Sequence, residues 1–446
     1  MKFTRLLTII AMIVLCAAGW LKVSVSTAQT IGSIRQYISA GDTYYEKQLY
    51  ELAIRNYNSA LSIKKSQDTY DRILNAYREW YAEEPRATVK RSFINTYEEG
   101  LRLYPKRTDY WEGYAQVYYD SASYTDVADI YARAAEQNIR SEKLTAMYKD
   151  IYYRTKLMYG SYPIINMGTY SGLYTYSDGG AVYGTLTADG GDDLSPDLSY
   201  INTAGDGGTL LTKNADGECF VLNAAGTTLG RFKKDVKEAG AIYNGLIPVL
   251  IEGRNDWCYI DYNGEELFGG YQYAGSFRGG NAAVQTADGQ WTVINTDGSL
   301  ATSETYDEIL VDEGGSFLMN GYMMYRSGDS WRLKDLTKAE AEEFVCDGLD
   351  ISRGEAIAFR RGEFWGFVGT DGNILIEPAY ENARSFSGGV AAVCKDGLWG
   401  FIDRNGEYVI EPEYLDAGYF DTSAGTCPVI VQETNVYRIL KWAVER

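Results

Sequence analysis

The chain of 446 residues contains no histidine. That absence removes Ser-His-Asp and Cys-His nucleophilic catalysis, together with the imidazole ligands of most zinc sites. Its six cysteines form no CxxC pair. Cys16 lies in an N-terminal apolar run, while Cys219, Cys258, Cys346, Cys394 and Cys427 are an odd set that cannot all be bridged. They read as small buried hydrophobes, with one disulfide left open. No P-loop and no G-x-G-x-x-G ahead of a helix is present. Basic residues are scarce in the second half: residues 161–446 carry 20 Lys and Arg against 43 Asp and Glu, whereas residues 30–160 balance 19 against 18. An acidic surface repels nucleic-acid phosphates and anionic lipid, so neither is an expected partner of that half. The shift in charge near residue 160 also marks a domain boundary.

What the chain does have begins with MKFTRLLTIIAMIVLCAAGWLK, basic at Lys2 and Arg5 and apolar from Leu6 to Leu21. Such a segment is an export signal or a membrane anchor. Its apolar run is short for a spanning helix, but Lys22 can snorkel and let Val23 to Val25 extend it. Ser26-Thr27-Ala28 resembles a small-residue cleavage site. Residues 1–29 are therefore read as a single membrane anchor with the bulk of the chain outside the cytoplasm. The alternative is a cleaved signal and a secreted protein.

Residues 31–158 follow a helical period. Tyr37, Ala40, Gly41 and Tyr44, then Ala53, Tyr57 and Ala60, have the same internal spacings as Trp111, Tyr114, Ala115 and Tyr118, then Val127, Tyr131 and Ala134. Large residues alternate with small ones, as nested antiparallel helices require. Phe93, Tyr97, Gly100, Leu101 and Pro105 belong to a degenerate copy between the two, and residues 141–157 read as a solvating end helix. The pattern resembles tetratricopeptide (TPR) repeats. That resemblance implies a short α-solenoid whose groove grips a peptide or partner helix. Arg35, Ile38, Asp42 and Tyr45 would line it in the first copy, and Asp109, Glu112, Gln116 and Tyr119 in the third. A bare spacer or a dimer contact is the plainer alternative.

Residues 164–446, after a linker at 159–163, are built from another repeat. EFWGFVGTDGNILIEPAYENA at 363–383 recurs as GLWGFIDRNGEYVIEPEYLDA at 397–417, an offset of 34 residues. An aromatic or small apolar residue followed seven residues later by Gly extends the series backwards, giving anchors at Tyr183, Cys219, Trp257, Trp291, Trp365 and Trp399. Trp331 keeps the spacing without the Gly. FRGGNAAV at 277–284 matches FSGGVAAV at 386–393. In GLWGFID, Trp399 and Phe401 share one strand face. Asn405-Gly406 reads as a primed hairpin turn, and Pro412 as the end of pairing or an edge. Many short strands at even spacing mean an all-β repeat array. These residues resemble the bacterial WG-repeat family, strongly at 365–383 and 399–417, and the resemblance implies no catalytic residues. Seven units predict a seven-bladed β-propeller, with an open β-solenoid of hairpins as the alternative. TYSGLYTY at 169–176 and NVYRIL at 435–440 read as half units that could seal a ring.

Trp257, Trp291, Trp331, Trp365 and Trp399 are expected to be repeat core rather than a carbohydrate platform. The acidic run holding Asp189, Asp192, Asp193 and Asp197 lacks EF-hand spacing and reads as a solvated loop, not a calcium site. No catalytic residue, metal or cofactor is expected. The whole reads as an exported, non-enzymatic interaction or scaffold protein with a protein or peptide partner in the cell envelope. A glycan- or cell-wall-binding module is the first alternative, and a carboxylate-based hydrolase the second.

Overall fold

A computed structural model describes residues 29–179, 183–338 and 343–444, with the backbone alone for 192–197. The N-terminal signal or anchor segment lies outside the described residues, apart from residue 29. Among those described, no helix is long and apolar enough to cross a membrane. The chain divides into two compact units, Met1–Tyr152 and Tyr153–Arg446.

The first unit is a stack of helical hairpins. Helix α1 spans 29–46 and α2 spans Tyr50–Ile63; α3 (Gln67–Glu83) pairs with α4 (Ala87–Leu103), and α5 (Thr108–Tyr119) with α6 (Tyr124–Glu136). Helix α7 (Glu142–Tyr152) closes the stack. The large-small alternation is what lets them nest. A Cβ on Gly41 would lie 2.3 Å from the Tyr57 ring, and one on Gly100 would lie 2.9 Å from Tyr110. Tyr57, Tyr70, Tyr97 and Tyr110 are fully buried as a result. The degenerate second copy folds as regularly as its neighbours, because Tyr70, Ile73, Leu74 and Tyr77 give α3 a buried stripe of its own.

The second unit is a β-propeller closed on itself. Among the described residues its strands form seven hydrogen-bonded sheets, all with antiparallel pairs. One sheet has seven strands and holds two repeat units, blade 1 (164–198) and blade 2 (198–232), joined through the long strand Asp192–Ile201. The units therefore number eight, one more than the seven anchors read from the sequence. The eighth, blade 8, is divided between the ends of the β unit. Asp416–Ala417, Thr426–Val431 and Val436–Trp442 come from the C-terminal side, and Thr155–Leu157 pairs along the last of them, with Thr155 opposite Trp442 and Leu157 opposite Leu440. The bridge Tyr162–Tyr437 stands where Tyr414 pairs with Trp399 in blade 7 (382–414). Two sequence boundaries change accordingly. Residues 155–157 are a strand, not the end of the terminal helix, and the supposed linker 159–163 finishes the eighth repeat. TYSGLYTY is no half unit, since its blade begins at Ile164–Ile165.

Neighbouring blades are held together by a recurring pair of aromatics. Tyr259 packs on Phe277 with centroids 5.0 Å apart, Phe367 on Phe386 at 4.8 Å, and Phe401 on Phe420 at 5.0 Å. One ring comes from the third strand of a blade and the other from the first loop of the next. Loop 312–316 of blade 5 (308–346) reaches across the middle. Its Glu313 accepts hydrogen bonds from Met167 N (3.0 Å) and Asn166 of blade 1, and Gly314 and Gly315 accept from Ala241 N and Ser276 N.

The turns differ in detail from expectation. At Asn405-Gly406 only the glycine has a left-handed φ, +82°. The turn is held instead by the Asp403 carboxylate, which accepts from Asn405 N (2.8 Å) and Glu407 N (3.1 Å). Asp396-Gly397 does adopt positive φ at both positions, +52° and +76°, as a primed turn requires. Pro412 sits in a bulge of its strand, where the pairing skips between Tyr414 and Ile410.

Candidate functional site

In the helical unit, α3, α4, α5 and the start of α7 enclose a cavity of about 440 Å³. Phe93, Tyr97 and Val117 give it an apolar floor, and Arg78, Asp109, Glu112, Gln116 and Lys143 stand around it. Three of the residues picked from the sequence, Asp109, Glu112 and Gln116, therefore meet at one place. Gly113 makes the space, since a Cβ there would lie 2.1 Å from the Tyr97 hydroxyl. Asp109 is held below the usual carboxylate range, first by the hydrogen bond from Arg107 and against its own partial burial. Glu112 accepts from the Ser141 hydroxyl at 2.7 Å, and Gln116 donates to Asp120 at 2.7 Å.

The other picked residues serve elsewhere. Asp42 accepts from Tyr57 Oη at 2.7 Å and from Arg72, tying α1 to α2 and α3. Tyr45 lies edge-on to Tyr50 with centroids 5.9 Å apart, and the Tyr119 hydroxyl donates to Asp150 of α7. Arg35 is exposed on α1, and Ile38 is half-buried there. None of these residues lines the cavity.

In the β unit the five repeat tryptophans pack at the edges of the inter-blade clusters. Trp399 is buried, while Trp257, Trp291, Trp331 and Trp365 are half-buried against them. The residues two places further on, Tyr259, Phe367 and Phe401, are the fully buried ones. All five described cysteines are free and buried. In the acidic run Asp189 is exposed and accepts from Thr187. The side chains of Asp192, Asp193 and Asp197 lie outside the described residues. Among the described residues no group of three or more His, Cys, Asp or Glu is placed to hold a metal ion.

The model of the WG containing repeat matches residues 257–291, 365–399 and 399–429. These segments are WG repeats. Each matched segment starts in the third strand of one blade and runs into the next, the first two to its third strand and the last to its second. Trp257 and Trp291 stand at the first position of the third strand, and Trp365 and Trp399 at the second. No curated protein matches the chain. Among solved structures, BamB from Moraxella catarrhalis is similar at 11% identity and TM-score 0.41, over 65% of this chain and all of that one. The Myceliophteria thermophila Cps50 (Swd1) β-propeller domain is similar at 10% identity and TM-score 0.36, over 65% and 99%. The Dos1 propeller is similar at 10% identity and TM-score 0.39, over 66% and 97%. These are distant matches, and the assignment of the fold rests on the strand pairing above.

A second cavity, of about 390 Å³, lies where the first loops of blade 1, blade 3 (236–271), blade 4 (273–306), blade 5, blade 6 (348–380), blade 7 and blade 8 converge. Sequence reasoning missed it entirely. Tyr170, Tyr243, Arg278, Asp312, Arg353, Ser387, Tyr419 and Asp421 all line it, from widely separated parts of the chain. Arg278, Ser387 and Asp421 share one repeat position, next to the buried aromatics Phe277, Phe386 and Phe420. That position is where the repeats stop resembling one another, which is the signal a closer alignment of the repeats would have given.

Proposed function

We propose that this chain is a non-enzymatic interaction protein of the bacterial cell envelope. In this reading residues 1–29 anchor it in the membrane, the two repeat units stand outside the cytoplasm, and the helical unit grips a protein partner through an extended peptide or a helix. The observation that carries the reading is the cavity beside Gly113. It joins an apolar floor to charged side chains of both signs, Arg78 and Lys143 against Asp109 and Glu112. An apolar patch with a few placed polar groups is how grooves select a peptide. The glycan alternative has less support, because it needs exposed indole faces and the five repeat tryptophans are half-buried or buried.

The test is cross-linking of the full chain in membranes of its source, beside a variant with Gln116→Trp and Arg78→Glu. The first substitution fills the cavity and the second reverses a charge on its wall. A partner captured by the natural chain and lost by the variant, with circular dichroism unchanged, supports the reading. Identical captures from both overturn it. Protease accessibility in sealed spheroplasts tests the placement: cleavage of the β unit from outside is expected, and protection would place it in the cytoplasm.

A further inference from the structure

The central cavity of the propeller is lined by four charged side chains that make no direct ion pair with one another. Arg278, Arg353, Asp312 and Asp421 all line it. None of them forms an ion pair among the described residues. Arg353 is the most constrained. Its guanidinium lies over the Tyr419 ring at 4.4 Å and the Tyr170 ring at 5.0 Å, and Gly168 leaves it room, since a Cβ there would lie 3.0 Å from Nη2. Nη2 donates to the Tyr170 hydroxyl at 3.1 Å, the one hydrogen bond it makes within the described residues. Its Nε is fully buried with no partner. An arginine so placed has most of its donors unused, and burying a charge without a partner is costly.

The two acids are positioned by backbone and hydroxyl donors rather than by cations. Asp312 Oδ1 accepts from Gly314 N (2.9 Å) and Ser316 N (2.8 Å), which leaves Oδ2 without a protein donor among the described residues. Burial raises the pKa of Asp312, while its backbone donors, Arg353 and Arg278 oppose the rise. Asp421 is held by Thr169 Oγ1 and by Ser423 and Ala424 N–H groups. Met319 and Ile351 add aliphatic surface to a lining that is otherwise mostly polar or aromatic: Ser387 is buried, and Tyr243 faces the Arg278 guanidinium at 5.8 Å.

From this arrangement we infer that the central cavity binds a small zwitterion of the α-amino-acid class. Its carboxylate pairs with the free donors of Arg353, with Arg278 at the mouth, and its ammonium meets Asp312 Oδ2 beside the tyrosine rings. A planar guanidinium is suited to a carboxylate, and a compact ammonium to a carboxylate flanked by aromatic faces. The balance of two cations and two anions disfavours a multiply charged anion such as phosphate. The cavity volume suits a single ligand of this size. The site is independent of the peptide cavity in the helical unit.

The test is calorimetric titration of the full chain with each of the twenty free amino acids. For every one that binds, the corresponding amide and the corresponding acid lacking the amino group follow. At least one amino acid is expected to bind with a Kd below about 1 mM, and both analogues about tenfold or more weaker, as loss of one charged hydrogen bond predicts. Arg353→Met and Asp312→Asn are expected to weaken binding by a similar factor; Asn keeps the acceptor that the turn needs. Arg278 is exposed, so Arg278→Ala tests the site without disturbing the core, and an about threefold loss is expected. If Arg353→Met does not fold, Asp312→Asn and Arg278→Ala decide. The inference is overturned if no amino acid binds below about 10 mM, if an analogue binds as tightly as its parent, or if the folded variants bind like the natural chain.

Discussion

Gly400 shows why the repeat needs a glycine after its tryptophan. A Cβ there would lie 2.6 Å from the Ile410 carbonyl oxygen and 2.7 Å from Pro412 N, and both are backbone atoms that cannot swing aside. Gly366 meets the same obstruction from Ile376 O (2.5 Å) and Pro378 N (2.7 Å). The bulge at the proline presses the outer strand onto its neighbour, and the glycine makes room. In blade 3 (236–271) the arrangement is exchanged: Cys258 takes the glycine's place, and Gly269 opposite it would bring a Cβ to 2.5 Å from the Cys258 Cβ. Gly400→Ala is therefore expected to cost about 1–3 kcal/mol through forced backbone movement. Urea denaturation of the full chain reads this as a lower midpoint; an unchanged midpoint would mean the bulge yields freely. Phe401 is 1% exposed and sits between Tyr414 and Phe420, whereas the Trp365 ring is half-buried. Phe401→Ala should cost about 3–5 kcal/mol, as large core truncations do, and Trp365→Ala distinctly less. The opposite order would return the packing role to the tryptophans that name the repeat.

At the scale of elements, the helices are joined by tyrosine hydroxyls donating to carboxylates on an earlier helix of the stack. Tyr57 donates to Asp42 at 2.7 Å, Tyr110 to Asp71 at 2.8 Å, and Tyr114 to Glu98 at 2.8 Å. Arg107 adds a hydrogen bond to Asp71 at 2.9 Å. Asp42, which the resemblance to TPR repeats placed in a groove, is thus a pin between helices. Asp42→Ala is expected to remove about 1–3 kcal/mol by leaving the Tyr57 hydroxyl without its acceptor. Thermal melting would register the loss, and an unchanged melting temperature would return Asp42 to the surface. These tyrosines also set an alkaline limit. Tyr57, Tyr110 and Tyr114 have raised pKa values, each by burial first and then by the carboxylate it donates to. Tyr50 is pushed up to about 12 by burial, with Glu83 next. A phenol whose pKa is higher in the folded chain contributes stability that is whole below its unfolded value near 10 and is lost as pH rises through the folded value. Melting temperatures should hold between pH 8 and about 10 and then fall toward pH 12, with tyrosinate absorbance appearing together with unfolding. Tyrosinate formed in a chain that stays folded would contradict these pKa directions.

At the scale of the whole molecule, what was readable in advance depended on whether a residue repeats. The constant offset of Trp365 and Trp399 placed two blades in register, and the matched spacings around Tyr57 and Trp111 placed two helical hairpins. The eighth blade was hidden because Tyr437 stands where the Trp-Gly pair would be, and its partner strand comes from the other end of the β unit, with Lys156 opposite Lys441 and Tyr162 bridged to Tyr437. The central cavity was hidden for the converse reason. Arg353, Tyr170 and Tyr419 are brought together only by ring closure, and no local pattern announces them. Closure itself rests on the short strand Thr155–Leu157 and on the bond from Met158 N to Ile439 O at 2.8 Å. Met158→Pro removes that donor, and Met158→Ala, which keeps it, controls for the side chain's packing against Tyr162 and Ile165. The proline variant should be less stable than the alanine one by at least about 1 kcal/mol, the worth of one backbone hydrogen bond. Because the lost bond joins the two ends of the ring, limited proteolysis should cut the proline variant first within 153–163 or 416–444. Equal stability and the same cleavage pattern in both variants would mean that packing between blades, rather than the pairing of the chain ends, keeps the propeller shut.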